Sequence, residues 1–361
     1  VPSQKIIDWL PDFYKRFLPR FFENESPEET ASSCSDCSMM NSDPSMPEIV
    51  SFSPSIKCCT HYPNLPNYMV GALLSDRNPA LNEGRLRIRG LINKGVAVMP
   101  HGIMMPEKYQ LLLKSSTDSF GRASSIICPY FDSERGTCTL WPFHGAVCNT
   151  WFCKYSSGED GRLFWISLRN YLLHVEKVLE LYTLQKTGFD ASQIIIQQKG
   201  VRPLSAFEID GKKPDQKTYE RIWGKWAGRE EEFYKETYSI VKGLNRRQVK
   251  NLSGIIGEVL LQDVMKKRQK IVKPKLPAVL KRNPRLVVEK TTGDEYILIS
   301  YSEFDPIGIS GRIYKIIDFF DGKKTNKEVC REILKITKAE PSYELILSLY
   351  QIRVLIENSP V

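Results

Sequence analysis

No stretch of this chain approaches 18 consecutive apolar residues, so no membrane-spanning helix is expected. Its opening residues, VPSQKIIDWLPDFYKRFLPRFF, are amphipathic and charged, without the apolar run and small-residue cleavage site of a secretion signal. A cytoplasmic location is the expectation. No internal repeat occurs. There is no Walker A loop, no G-x-G-x-x-G after a strand, no H-E-x-x-H and no G-x-S-x-G, so the usual signatures of nucleotide hydrolysis, dinucleotide binding, zinc proteolysis and serine hydrolysis are missing. The CxxxCxxC element of radical S-adenosylmethionine enzymes is missing as well. Histidine is scarce, with His61, His101, His144 and His174 the only four.

A chain of 361 residues has room for two or three domains, and 26% charged residues is ordinary for a soluble globular protein. Its charge is unevenly placed. Residues 245–285 carry twelve Lys or Arg against Glu258 and Asp263, a surplus of ten within a chain whose net charge is +9. This segment suits nucleic acid, anionic lipid or an acidic partner, and equally a solvated helix end with a linker.

The coarse pattern is mainly helical. Residues 1–22 suggest short helices broken by Pro11 and Pro19. Residues 23–57, rich in Ser, Glu, Asp and Pro, read as an irregular loop needing something to pin it. Tyr68 to Asn82 suits a helix, residues 84–100 suit helix or strand, and 105–116 a helix with Pro106 in its first turn. Phe164, Leu168, Tyr171, Leu172, Val175 and Leu179 recur at helical spacing and mark a long helix. One or two helices follow over 214–244, and another begins at Ser253 as its cap. A basic linker with three prolines covers 273–285. Beyond it, LVVEKT and EYILISY read as strands joined by a TGD turn. Helices then start at Ser310, at Thr325 with Glu328 three positions on, and at Ser342. The predicted regions are a cysteine-cluster metal-binding region over 1–160, a helical region over 161–272 and an α+β winged-helix domain over 286–361. The fold class is mainly α with irregular cysteine-rich loops.

Against these absences stand nine cysteines, eight of them before residue 154. Their order is Cys34-x2-Cys37-x20-Cys58-Cys59, then Cys128-x9-Cys138-x9-Cys148-x4-Cys153. Cys330 falls alone on an apolar helix face and reads as a core residue. Disulfides among the other eight need an oxidising compartment, for which no secretion signal speaks. Inert buried thiols do not cluster among Ser, Asp, Gly and Pro. Metal ligation accounts for both the clustering and the irregular backbone, because a thiolate cage fixes polypeptide that has few apolar contacts. Only Cys34-x2-Cys37 has the short pairing of a structural zinc site. Spacers of nine, nine and four residues suit an iron–sulfur cluster, a larger object. Eight thiolates allow one or two 4Fe–4S clusters, with Zn2+ as the alternative. Cys58 and Cys59, being adjacent, point apart in extended backbone, so they suit different sites or only one of them ligates. The histidines read as structural or solvent-facing; a ligand role is the alternative, with His61 and His144 close to the cysteines in sequence, and His144 could instead donate a hydrogen bond to a cluster sulfur. Tyr130, Phe131, Trp141, Phe143, Trp151 and Phe152 would shield a cluster from water.

The run CPYFDSERGTCTLWPFHGAVCNTWFCK, preceded by IKCCTHYPNLPNY, resembles the YkgJ-like cysteine-cluster family, described as zinc- or iron-chelating. Cys128, Pro129, Tyr130 and Phe131 match its C-P-aromatic start, Cys138, Leu140 and Trp141 its middle element, and Cys148 its third cysteine. The resemblance covers about residues 34–155. The chain departs from the family in its first half, where 20 residues separate Cys37 from Cys58 in place of a compact CxxCxxCC element. The family includes flagellin lysine N-methylases, and the resemblance implies iron–sulfur binding without implying methylation. Four protein thiolates leave no open iron, which favours electron transfer, sensing or structure over substrate activation. Whether the chain is an enzyme stays open.

The C-terminal pattern G-x-x-x-x-I-x-x-F-x-D-G-K-x-T from Gly311 resembles the PqqD-like winged-helix domain that recognises precursor peptides. A DNA-binding winged helix or a plain packing domain has much the same pattern. The resemblance implies a protein or peptide partner, with β-augmentation on an edge strand near Tyr296 to Tyr301. The function expected is a redox or maturation role acting on that partner. The alternative is a zinc-stabilised protein- or nucleic-acid-binding module, with residues 245–285 touching the nucleic acid.

Overall fold

The structure is a computed structural model that describes residues 4–27, 37, 39–40, 52–115, 119–189, 205–291 and 293–358. It is mainly α with small antiparallel sheets. Among the described residues, no helix is long and apolar enough to cross a membrane. The chain divides into two units. One comprises residues 1–26, 52–151 and 168–262, and the other 27–51, 152–167 and 263–361.

In the first unit, three 3₁₀ turns, Ile6–Trp9, Asp12–Arg16 and Arg20–Glu23, replace the short helices expected at the start. Pro11 and Pro19 immediately precede the second and third turns, where a missing N–H costs nothing. The unit's helices are α1 (Asn67–Ser75), α2 (Asn82–Lys94), α3 (Glu107–Ser115) and α4 (Gly145–Asn149). Residues 84–100, open between helix and strand, are helical to Lys94 and reach strand β2 (Val98–Met99) only afterwards. β1 (Leu65–Pro66), β2 and β3 (Gly102–Ile103) form a small sheet in the order β1–β3–β2. Helix α1 is apolar all round and is buried along Asn67 to Leu74. The long helix α5 (Gly158–Lys186) buries the stripe from Phe164 to Leu179 that its spacing predicts.

Helices α6 (Ser205–Ile209), α7 (Gln216–Trp223) and α8 (Glu230–Lys242) follow. Three glutamates open α8 and Lys242 closes it, matching the helix dipole at both ends. Trp223 and Phe233 pack edge to face with centroids 5.5 Å apart. The stretch α9 (Arg246–Val272) is two helical runs divided at Gly254, whose φ of 58° favours a residue without Cβ, so a helix does begin close to Ser253, with a further run before it. Ser253 does not serve as the expected cap. Its hydroxyl is buried with no hydrogen-bond partner among the described residues.

The second unit holds strands β6 (Val279–Arg282), β7 (Val287–Lys290), β8 (Glu295–Ile299), β9 (Ile307–Ser310), β10 (Asp321–Thr325) and β11 (Leu355–Glu357). They pair antiparallel in two sheets, β10–β6–β11 and β7–β8–β9. The expected hairpin is present as β7 and β8, with Val287 opposite Ile299. Its second strand is not an edge, because β9 pairs along its other side. The edges of that sheet are β7 and β9, which corrects the expected place of strand addition. Strand β6, inside the predicted linker, is the centre of the other sheet. Helices α10 (Gly311–Ile317), α11 (Asn326–Thr337) and α12 (Tyr343–Gln351) begin at Ser310, Thr325 and Ser342, each of whose hydroxyls accepts a backbone N–H three residues on. Leu298, Ile317, Phe320, Val329, Ile333 and Leu355 form the heart of this unit's core, and Cys330 packs in it as expected.

Candidate metal centre

The first unit's cysteines lie on four local structures. Cys58 and Cys59 follow Lys57, whose φ of 56° turns the chain sharply in the 54–60 turn. The Lys57 ammonium donates to the Gly136 carbonyl oxygen at 2.7 Å, tying this turn to the hairpin formed by β4 (Phe131–Asp132) and β5 (Thr137–Cys138). Cys128 N–H donates to the Cys59 carbonyl oxygen at 2.7 Å, so the two cysteine-bearing segments are joined through backbone. Cys138 stands opposite Phe131 in the hairpin. Cys148 is carried by the short helix α4.

Two helices brace these loops. Arg87 of α2 donates to the carbonyl oxygens of Pro129 and Phe131, both at 2.9 Å, while Glu83 holds its Nε at 2.7 Å. The guanidinium thus spans the Cys128 turn. Gly84, three residues earlier, lies so close to the hairpin that a Cβ there would meet the Thr139 carbonyl oxygen at 2.3 Å. From α5, Glu176 accepts the Ala146 N–H at 2.8 Å and fixes the start of α4. Burial pushes the Glu176 carboxyl up to about 8, with Glu180 adding repulsion.

The thiols sense one another. Burial pushes the Cys148 thiol well up, and Cys128, Cys138 and Cys58 push it further. Cys128 is raised by burial and then by Cys138 and Cys58. Cys58 is lowered instead, because Cys59 hydrogen-bonds to it and the Lys57 ammonium is near. Cys58, Cys128, Cys138 and Cys148 therefore occupy one electrostatic neighbourhood, in which full ionisation calls for a cation. Among the described residues, no three or more His, Cys, Asp or Glu side chains are arranged to hold a single metal ion.

Cys153 is buried in the second unit, and Cys37, half-buried, accepts the Met40 N–H at 2.9 Å through its carbonyl. Cys34 lies outside the described residues. None of the eight described cysteines forms a disulfide. His144 is buried beside Trp141, with ring centroids 4.3 Å apart, and burial depresses it to about 4. Its neutral ring places Nδ1 3.3 Å from the Pro142 carbonyl oxygen, a contact that selects the Nδ1–H tautomer. Burial and Arg169 lower His61. His174 Nε2 lies 2.9 Å from the Ser253 carbonyl oxygen, and the His101 carbonyl accepts the Asn67 N–H.

Three tyrosines border the thiols. Tyr109 shares its hydroxyl proton between the Thr60 and Ile126 carbonyls. Tyr62 and Tyr130 are buried near Cys128 with their hydroxyls next to each other, so at most one of the two protons has an acceptor among the described residues. An orphaned buried hydroxyl costs about 1–3 kcal/mol. Sulfur acceptors in a metal-bound form of the thiol group would satisfy them, so these residues fit a thiolate-held group.

Sequence reasoning missed Arg87, Lys57, Tyr62 and Glu176. Only Glu176 left a signal: four residues past Leu172, it puts a carboxylate on the apolar stripe of a helix. No protein-family model matches the chain, and no curated protein or solved structure matches it.

Proposed function

We propose that this chain is an iron–sulfur protein with a redox or maturation role towards a protein or peptide partner, and that Cys58, Cys128, Cys138 and Cys148 hold one 4Fe–4S cluster. The observation that carries this reading is the mutual effect of those thiols, brought from separate stretches into one neighbourhood where Cys128 is buried and Cys58, Cys138 and Cys148 are half-buried. Nine-residue spacers between Cys128, Cys138 and Cys148 suit the wide corners of a cluster. When bound, such a group supplies one-electron chemistry. The protein's own residues do the rest: Tyr130, Phe131 and Phe143 exclude water, Lys57 and Arg87 fix the turns, and Glu176 anchors the helix carrying Cys148. The YkgJ-like resemblance belongs to this proposal, supported by the presence of Cys128, Cys138 and Cys148 in the same set.

The C-terminal part of the second unit, over 286–361, is read as a PqqD-like winged-helix domain that binds the partner. Its three short helices beside a sheet ordered β10–β6–β11 support that reading. Peptide addition is assigned to the β7 edge, where Val287 is 57% exposed.

Anaerobic purification tests the metal reading. The expected product is brown, with iron and sulfide each at about four per chain. A colourless protein with stoichiometric zinc would replace this reading with a zinc-stabilised protein- or nucleic-acid-binding module.

A further inference from the structure

Tyr62 and Tyr130 come from segments 68 positions apart, yet their rings meet edge to face with centroids 5.7 Å apart. Both side chains are buried, Tyr62 at 5% and Tyr130 at 0% exposure. Neither hydroxyl makes a hydrogen bond of ordinary geometry among the described residues. Each hydroxyl has one proton, so a bond between the two would still leave one proton without an acceptor. Tyr109, the third tyrosine of the group, packs against Tyr62 at 5.3 Å and has its proton placed on backbone carbonyls. All three tyrosines lie near Cys128, and among them only the Tyr62 and Tyr130 hydroxyls lack a backbone acceptor.

Thiolate and sulfide sulfurs accept hydrogen bonds, and bonds to the sulfurs are one of the levers that set an iron–sulfur potential. We infer that the Tyr62 and Tyr130 hydroxyls donate hydrogen bonds to sulfur atoms of the cluster held by Cys58, Cys128, Cys138 and Cys148, and raise its reduction potential. This inference rests on the iron–sulfur reading. Reduction adds negative charge to the sulfurs, so a donor stabilises the reduced form more than the oxidised one. The two tyrosines are positioning residues for the charge on the sulfurs and take no part in bond making.

The test is a redox titration of anaerobically prepared protein, followed by visible absorbance and electron paramagnetic resonance. Tyr62→Phe and Tyr130→Phe preserve ring, volume and burial and remove only the donor. Tyr171→Phe, also buried but on α5 against Phe22 and without a thiol influence, is the control. Each donor variant is expected to keep the wild-type iron and sulfide content. Each is also expected to shift its midpoint negative by about 59 mV, which is tenfold in a one-electron equilibrium. Tyr171→Phe is expected at the wild-type midpoint. A brown wild type whose two donor variants titrate at the wild-type midpoint overturns the inference alone. A wild type without iron and sulfide overturns it together with the iron–sulfur reading.

Discussion

Arg87 Nη1 donates to the Phe131 carbonyl oxygen at 2.9 Å, and the same nitrogen reaches Pro129 at 2.9 Å, so one guanidinium from α2 closes the turn that begins at Cys128. The side chain is partly exposed and paired with Glu83, which limits its electrostatic value. Its importance is geometric: it aims a cysteine. Arg87→Ala is expected to cost about 1.5–3 kcal/mol from the lost hydrogen bonds of a charged donor. Iron retained after gel filtration is expected to fall with it. Arg87→Lys, which has no fork, is expected to recover less than half of the loss. Thermal melting and metal analysis of the same preparations check both, and wild-type iron content in Arg87→Ala would remove Arg87 from the site's support.

Single serine replacements sort the cysteines. Cys58→Ser, Cys128→Ser, Cys138→Ser and Cys148→Ser are each expected to lose most of the iron, because a hard serine hydroxyl is a poor substitute for soft thiolate. Cys330→Ser is expected to retain the full content and to lose stability only, since Cys330 sits in the second unit's core. Iron and sulfide assays on the five variants decide the ligand set.

What could be read from the sequence follows the range of the forces involved. The caps at Ser310 and Thr325 were legible because a side chain and a backbone N–H three residues away decide them. The buried stripe of α5 was legible because its period is local. Strand β6 was not, since it pairs with β10 and β11, which arrive about 40 and 75 residues later; in isolation its Val-Leu-Lys-Arg looks like linker. At the site, clustering of cysteines was visible in the spacing. The grouping of Cys58 with Cys128, Cys138 and Cys148 was not, because the Lys57 turn and the Arg87 brace act between segments far apart in sequence. Ser253 failed as a cap because the first helical run continues through it to the break at Gly254.

The start of α11 offers a clean local test. Thr325 Oγ1 accepts the Glu328 N–H, and the Glu328 carboxylate returns to the Thr325 N–H at 2.7 Å, a reciprocal capping box. Thr325→Ala is expected to destabilise the protein by about 1 kcal/mol. Thr325→Ser is expected to lie within a few tenths of wild type. Urea unfolding followed by circular dichroism measures the difference, and equal midpoints for wild type and Thr325→Ala would deny the box any role.

Glu176 and Glu180 give the metal-free protein a pH dependence of definite sign. Both carboxyls are raised by burial, Glu176 to about 8, so the folded state holds protons that the unfolded chain releases near the usual carboxylate range. With more protons bound in the native state, unfolding free energy falls as pH rises. The Glu176 contribution is fully present below about pH 4 and declines through the window up to about 8, with a limiting slope of about 1.4 kcal/mol per pH unit for one proton. Glu176→Gln keeps an oxygen that can accept the Ala146 N–H and removes the charge. It is expected to flatten the pH dependence between 5 and 8, with its largest stabilisation relative to wild type at the upper end. Urea unfolding of both proteins, freed of metal and kept reduced, is the measurement at pH 5, 6, 7 and 8. Parallel curves for the two would mean that Glu176 ionises in the folded protein as it does in the unfolded chain.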